Sequence, residues 1–566
     1  MVEPGNFKKW LWEGLLLLAL AAVLLLPRGL QLGKYVFIDE TYYLKHAAQF
    51  YWAVANQEYE STDLVVHPGV IPHWLGAAAF WHVFPEYAEV QPESQIADLT
   101  FRNLLDDFDL DLLTMLVWSR RLVVIFNSAL LVLAYLLARR LFPVWLAVLG
   151  ILLAGFDPFF FDHSRFLHVD GMMTVLMFVS LLAFLVYLKE GKIGWLLLSA
   201  VMAGMGTLTK VPALVLLGFV GLFGLIEWFW PLHERFSPSR SWKGILKLAG
   251  LVLIWLLVVI VVIFALWPAM WQDPLSKLGS IASFVLDQGG AEVISPMFFN
   301  GQRNPTGVFG WDFWYYYPLS YLWRASPVTL AGLVLLAVAF FTRKRFDVAE
   351  IPWREIGLLA LFVLIFTLLM TASVKKFDRY ILPAVLPLNL LAAVGFFAAV
   401  STVKGLIDRK PLRLAATVVL LVVIAGFQGL LVYQAFPYGL SYYNPLMGGS
   451  QKAPEVMMVG YGEGLDQAAE YMMTVPKKFD KVIYSFYSGA FGFHYFQQIK
   501  EMPWYRVNFS DEVLEADYWI LYLSQKQRGM SGPAFEFVEG HQPEFTVVIN
   551  GIEYAWVYNL AEIRGE

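Results

Sequence analysis

An all-α polytopic membrane bundle with a small extracytoplasmic α/β domain at its C-terminal end is the fold class that this 566-residue sequence predicts. Three observations predict it. Hydrophobic residues make up 58% of the chain, charged residues only 15%, and the mean hydropathy is +0.58, a balance outside the range of soluble domains. Apolar runs of about 20 residues, long enough to cross a bilayer, recur roughly eleven times. Beyond Tyr438 the composition changes to that of a soluble module.

The spans are expected near 11–29, 120–138, 143–161, 171–188, 193–209, 211–229, 248–267, 326–342, 356–374, 380–402 and 414–435. The first reads as a span and not a cleaved signal peptide, because its apolar stretch is long and no clean small-residue cleavage pattern follows. Short cytoplasmic loops retain Lys and Arg. With a cytoplasmic N-terminus, the inside segments hold Lys8 and Lys9, Arg139 and Arg140, and Lys189 and Lys192. The later inside loops hold Arg235 to Lys247, Arg343 to Arg354, and Lys404 to Arg413. The first outer loop carries thirteen Asp and Glu between Asp39 and Asp111. An odd number of spans then leaves the C-terminal tail outside.

The expected organisation is a membrane domain over 1–437 with large outer loops at 30–119 and 268–325, and an extracytoplasmic α/β domain over 438–566. The first loop can form short helices on the membrane surface. The second is crowded with aromatics, from Met297-Phe298-Phe299 through Trp311, Phe313 and Trp314 to Tyr315-Tyr316-Tyr317, which read first as interfacial anchors. In the tail, Gly464 to Met473 reads as a helix, and Lys481 to Phe486, Tyr518 to Leu523 and Phe545 to Asn550 as strands. Gly460-Tyr461-Gly462-Glu463-Gly464 superficially resembles a phosphate loop, but a lone pattern of this kind reads better as a turn.

A formal net charge of −5 without a basic patch argues against nucleic acid as a partner. The chain has no cysteine, which excludes thiolate catalysis and Cys-ligated metal centres.

The chemistry is expected among ionisable residues beside the membrane, where a charge is disfavoured by at least about 2.5 kcal/mol. The predicted topology collects Asp39, Glu40, Arg120, Arg121, Arg165, His168, Asp170, Lys210, Lys375, Lys376, Asp378 and Arg379 on the outer side. Asp39-Glu40 follows Tyr35-Val36-Phe37-Ile38, so two acids stand where the chain leaves the membrane. A carboxylate there can take the proton of an attacking hydroxyl or amine, but the dipeptide alone reads better as a solvated pair of loop acids. Arg165, Lys210 and Arg379 can bind a phosphate and stabilise it as a leaving group. Taken singly, each also fits snorkelling toward lipid headgroups.

Several stretches, in order, resemble the polyprenyl-phosphate-sugar-dependent glycosyltransferases of the GT-C fold, the protein O-mannosyltransferase branch and its bacterial relatives such as the aminoarabinose transferases. They are Phe37-Ile38-Asp39-Glu40 with Tyr42-Tyr43, His67-Pro68-Gly69, Phe156-Asp157-Pro158, Ser164-Arg165 through His168 to Asp170, and Gly204 through Thr209-Lys210. Downstream follow Phe299-Asn300-Gly301-Gln302, Trp314 through Pro318, and Lys376-Phe377-Asp378-Arg379-Tyr380. The resemblance covers nearly the whole membrane region. It implies transfer of a sugar, mannose or another hexose, from polyprenyl phosphate to an extracytoplasmic protein, lipid or glycan acceptor with inversion.

In that scheme Asp39 is the base and Glu40 orients the acceptor or assists electrostatically. Arg165, Lys210 and Arg379, with Lys375 or Lys376, hold the departing phosphate. Tyr42, His67, His168, Asp170, Gln302 and Tyr380 support the substrates, Asp170 by pairing with Arg165 or His168. No cofactor is expected, although His67 with Glu58, Glu60 or Asp63 has the donor types of a divalent site. The alternative classes are a flippase or transporter of lipid-linked substrates, for which no repeated halves are evident, and a noncatalytic envelope-assembly factor.

Overall fold

The computed structural model describes residues 4–64, 68–90, 110–230, 241–287, 296–307, 309–342, 351–404, 409–477, 481–495, 511–530 and 532–566. The chain folds as a helical bundle, with a small mixed sheet built from its last hundred residues. Among the described residues, eight helices are long and apolar enough to cross a membrane. A ninth span is counted if Trp311–Arg324 and Pro327–Thr342, bent by 114° at their junction, are taken together. The eleven expected spans map onto those eight long helices, the Pro327–Thr342 arm of the bent pair, and two shorter helices, Val144–Gly155 and Ile193–Thr209.

The shorter helices end for local reasons. Val144–Gly155 stops before Phe156-Asp157-Pro158, where the Asp157 side chain accepts from the Phe160 amide and starts the one-and-a-half-turn helix Pro158–His163. An N-cap Asp followed by Pro at N1 is a strong helix start, and it breaks the expected 143–161 span in two. Ile193–Thr209 stops at Lys210, whose extended backbone precedes Val211-Pro212.

Val169–Glu190 lies at the centre of the bundle, with every residue of its most apolar stretch buried. Trp242–Leu266 is at the periphery, with most of its apolar surface left outward, the pattern of a lipid-facing helix. The chain is an integral membrane protein. The first outer loop forms two helices, Glu40–Ala55 and Val70–Val83, each with a buried face. The aromatics of the second loop divide: Trp311 and Trp314 are exposed, while Phe299, Tyr316 and Tyr317 are buried. The exposed tryptophans are the ones most open to serve as interfacial anchors, with Phe298, Phe313 and Tyr315 partly exposed.

The tail sheet has the order β3-β4-β6-β5, with β3 (Ile483–Ser485), β4 (Tyr518–Tyr522), β5 (Phe545–Ile549) and β6 (Ile552–Asn559). The β3 and β4 strands are parallel, and the remaining pairings are antiparallel. Sequence reading finds the first three of these and misses β6. Asn550 and Gly551, at φ +51° and +79°, make the two-residue turn between β5 and β6, and Asn-Gly flanked by alternating residues is the signal for such a hairpin. A two-stranded hairpin, β1 (Met297–Phe299) and β2 (Gln302–Asn304), lies in the second loop.

Candidate active site

Four helix ends converge on one cluster of charges. Asp39 is the residue before Glu40–Ala55, and its side chain makes no capping bond, so the carboxylate is left for other partners. Its Oδ2 lies 3.1 Å from the Arg379 guanidinium and 3.2 Å from His168 Nε2. No partner for Oδ1 stands among the described residues, and the side chain keeps about a third of its surface, 35%, accessible.

His168 precedes the central helix Val169–Glu190. Its Nδ1 accepts from the Asp170 amide at 3.3 Å, which assigns the ring proton to Nε2, the donor toward Asp39. Asp170, in the first turn of that helix, is fully buried between Lys210 Nζ at 2.6 Å and Arg379 Nε at 3.0 Å. Lys210 reaches it from the end of Ile193–Thr209, and Arg379 from the turn that opens the Asp378–Ser401 span. The Tyr380 ring lies 4.2 Å from the Lys210 ammonium. Burial by itself would push the Asp39 carboxyl up. Arg379 and His168 outweigh it and hold the group below the usual carboxylate range.

Lys375 stands in the connection between Trp353–Ala372 and the Asp378–Ser401 span, half-buried, with no carboxylate among the described residues within ion-pair distance. Burial, then the charges of Arg379 and Lys210, lower its pKa. The cluster therefore contains two carboxylates, Asp39 and Asp170, facing three cations, Lys210, Arg379 and Lys375. The unpaired positive charge is what an incoming anion would neutralise.

Other expected site residues sit elsewhere. Glu40, sequence neighbour of Asp39, is engaged by other partners and is completely buried. Its Oε1 accepts from Arg120 Nε at 2.8 Å and the Leu167 amide at 2.7 Å; its Oε2 accepts from the Phe37 amide at 2.9 Å and from a second Arg120 nitrogen. The carboxylate has no face left for an acceptor, so its geometry is that of a brace and not of an acceptor-orienting group. Arg165 is likewise committed, to Asp162 Oδ1 at 2.9 Å and to the carbonyls of Arg28 and Leu30. Asp170 accordingly pairs with Lys210 and Arg379, and of its two expected partners His168 stands 3.6 Å from its Oδ2 while Arg165 is engaged elsewhere. Lys376 donates to the Thr371 and Ser373 carbonyls at 2.5 Å each, closing the end of Trp353–Ala372. These two cations satisfy backbone oxygens and do not face the cluster.

Tyr42 is 47% exposed and stacks edge-on to His46. Gln302 is exposed in the β1–β2 hairpin, which is tied to the tail through the Asn300 amide on Val456 and Arg303 on Lys526. His67 lies outside the described residues. Of the acids suggested to join it on a metal, Asp63 is paired with Lys277 at 2.6 Å. Among the described residues no group of three His, Asp or Glu side chains is placed to hold a metal.

Sequence reasoning missed two contributors. Arg120 was counted among the outer charges without a role, and it is the partner of Glu40. Tyr461, from the glycine-rich turn of the tail, stacks on Phe37 with ring centroids 5.3 Å apart. Positive φ at Gly460, Gly462 and Gly464 agrees with the turn reading of that segment, but nothing in it marks what the turn packs against.

Residues 110–271 match the family described as dolichyl-phosphate-mannose-protein mannosyltransferase. No curated protein sequence matches the chain. Among solved structures, ArnT from Cupriavidus metallidurans bound to undecaprenyl phosphate is similar at 13% identity, covering 98% of this chain and 99% of its own, with a TM-score of 0.45. The Archaeoglobus fulgidus oligosaccharyltransferase AglB, in complex with an inhibitory peptide and a dolichol-phosphate, is similar at 12% identity over 97% of this chain and 74% of its own, TM-score 0.46. The S. cerevisiae protein O-mannosyltransferase Pmt1-Pmt2 complex bound to the sugar donor gives 19% identity over 51% of this chain and 38% of its own, TM-score 0.33. The matched segment carries Arg120, Arg165, His168, Asp170 and Lys210, and over it the chain is similar to the dolichyl-phosphate-mannose-protein mannosyltransferase family.

Proposed function

We propose that the protein transfers a sugar, mannose or another hexose, from a polyprenyl phosphate to an extracytoplasmic hydroxyl, with inversion at the anomeric carbon. The observation that carries this reading is the charge cluster itself. A partly accessible carboxylate, Asp39, shares Arg379 with the buried Asp170, while Lys375 beside them lacks an acidic partner among the described residues. The family match over 110–271 supports the reaction class.

In the proposed reaction the donor phosphate lies against Lys375 and Arg379, with Lys210 behind them. Asp39 takes the proton of the acceptor hydroxyl, whose oxygen forms the new bond to the anomeric carbon from the opposite face. The bond from that carbon to the phosphate oxygen breaks, and its electron pair leaves with the polyprenyl phosphate. The three cations stabilise the charge that accumulates there. Arg379 also gives the site a proton-affinity device. When phosphate draws the guanidinium toward itself, its hold on Asp39 weakens, and the carboxylate becomes a stronger base as the donor arrives. Holding both reactants at one membrane surface supplies much of the acceleration.

Glu40 and Arg165 support the pocket from behind. We further propose that the N-terminus is cytoplasmic and that the cluster and the tail are extracytoplasmic, on the distribution of Lys and Arg. No metal is assigned a role, since three side-chain cations already face the leaving group.

The test is purified protein given labelled polyprenyl-phosphate mannose and candidate peptide, lipid and glycan acceptors. Release of polyprenyl phosphate with sugar on an acceptor is expected, and Asp39→Asn should lower turnover by about 10²–10⁴-fold. Undiminished transfer by that variant would remove Asp39 as the base. Movement of the donor across liposomes without bond cleavage would instead identify a flippase.

A further inference from the structure

The tail touches the segment before Asp39 through its Gly460–Gly464 turn, beside further contacts such as Lys34 on Asp466, and the contact at the turn is built from several independent parts. The Ile38 amide, one residue before Asp39, donates to the Tyr461 carbonyl at 2.9 Å. The Phe37 ring is sandwiched, with Phe166 at 5.2 Å on one side and Tyr461 at 5.3 Å on the other, both nearly parallel to it. Tyr461 also reaches the cationic side of the site. Its hydroxyl donates to Asp378 Oδ1, and its ring lies 5.2 Å from the Arg379 guanidinium. One tail residue therefore bears on both the segment that presents Asp39 and the turn that presents Arg379.

The neighbouring glycine makes this approach possible. Gly462 has φ +115°, and a side-chain carbon there would overlap the Val36 carbonyl oxygen. The turn is in turn held from inside the tail. The Gly462 amide donates to the Tyr522 hydroxyl at 3.0 Å, and that hydroxyl donates to the Glu463 carbonyl at 3.0 Å. Tyr522 is the last residue of β4, so the contact is fastened to the tail's sheet.

We infer that the Gly460–Gly464 turn is a positioning clamp for the catalytic pair, and that the tail is a working part of the active site through Tyr461 and Gly462. The clamp holds the backbone before Asp39 against the turn carrying Arg379, setting the separation on which proton removal and phosphate binding both depend. This rests on the sugar-transfer reading for what Asp39 does, but not for where the clamp sits.

The experiment uses full-length protein in nanodiscs, as wild type, Gly462→Ala, Tyr461→Ala and Tyr461→Phe. Amide hydrogen exchange is followed for a peptide spanning 36–44 and for one spanning β4, alongside steady-state transfer. In Gly462→Ala and Tyr461→Ala the 36–44 peptide should exchange about tenfold faster while β4 is unchanged. Their kcat should fall by roughly 10–100-fold with donor KM within about threefold, the signature of misplaced reacting groups. Tyr461→Phe, which keeps the ring and the carbonyl, should restore both readouts to within about threefold of wild type. If β4 exchange also rises in Gly462→Ala, Tyr461→Ala decides on the same criteria. Unchanged exchange at 36–44, or loosened exchange with full turnover, overturns the clamp. A wild type that transfers no sugar counts against the proposed reaction alone, because the exchange readout needs no substrate.

Discussion

Replacing Glu40 by Gln separates a brace from a catalyst. The carboxylate accepts four hydrogen bonds, two from Arg120 and one each from the Phe37 and Leu167 amides. Both ion-pair partners are buried, at 0% and 3% side-chain exposure. The amide of Gln keeps one acceptor oxygen and turns an NH₂ group toward donors at the other position. The Arg120 charge is then left in a dry site without its counter-charge. Breaking a buried pair in this way costs about 3–5 kcal/mol. At roughly 2 °C per kcal/mol for a domain of a few hundred residues, the apparent unfolding midpoint should fall by about 6–10 °C. The assay is thermal unfolding in detergent at a fixed scan rate, run beside Asp39→Asn. That second variant removes charge from a carboxylate 35% exposed, whose pairing in a solvated pocket is worth only about 0–1 kcal/mol, so its midpoint should stay close to wild type while turnover collapses. A Glu40→Gln protein as stable as wild type but inactive would refute the brace and return Glu40 to the chemistry.

Other outcomes follow from the same geometry. Lys375→Ala should raise donor KM roughly tenfold with unchanged thermal stability, and Lys375→Arg should recover most of it, whereas Lys376→Ala should lower stability and spare donor KM, since its ammonium caps backbone carbonyls; steady-state kinetics and melting of both check this. Asp39 has a lowered folded pKa, so the stability and activity that depend on its charge are fully present above the ordinary carboxylate value of about 4 and are lost only as pH falls below it. Arg379→Gln should move the acid limb of kcat/KM upward, and an unmoved limb would dissociate Arg379 from Asp39. Turnover measured before and after dialysis against EDTA should be the same, and loss restored by a divalent ion would assign the leaving-group charge to a metal.

Much of the site was legible as a pattern of charges where apolar runs end. Asp39, Asp170, Lys210 and Arg379 stand at such ends, and the structure brings them within ion-pair distance of one another. Their pairings were not legible. Arg165 and Lys376 have the same sequence setting as Lys210 and Arg379, a cation beside a membrane helix. Whether such a cation faces a pocket or satisfies the carbonyls at a helix end depends on which backbone groups lie unpaired nearby, and that is decided across 135 residues of separation for Arg165 on Leu30. The Asp39-Glu40 dipeptide shows the same limit. Adjacent residues at the start of a helix point about 100° apart, so one meets Arg379 and the other Arg120.

By itself the amino-acid sequence determined that this chain lives in a membrane, that its charges collect beside the apolar runs, and that the composition changes beyond Tyr438. Those properties are set by composition and by the cost of burying charge, which act locally along the chain. Tertiary structure alone decided that Glu40 is walled in while Asp39 stays open, that Lys375 has no acidic partner within reach among the described residues, and that Tyr461 of the tail reaches both Phe37 and Asp378. Each of these depends on what packing brings against a residue from distant parts of the chain, and hydrogen bonds and ring contacts between such segments have no period or spacing in the sequence to betray them.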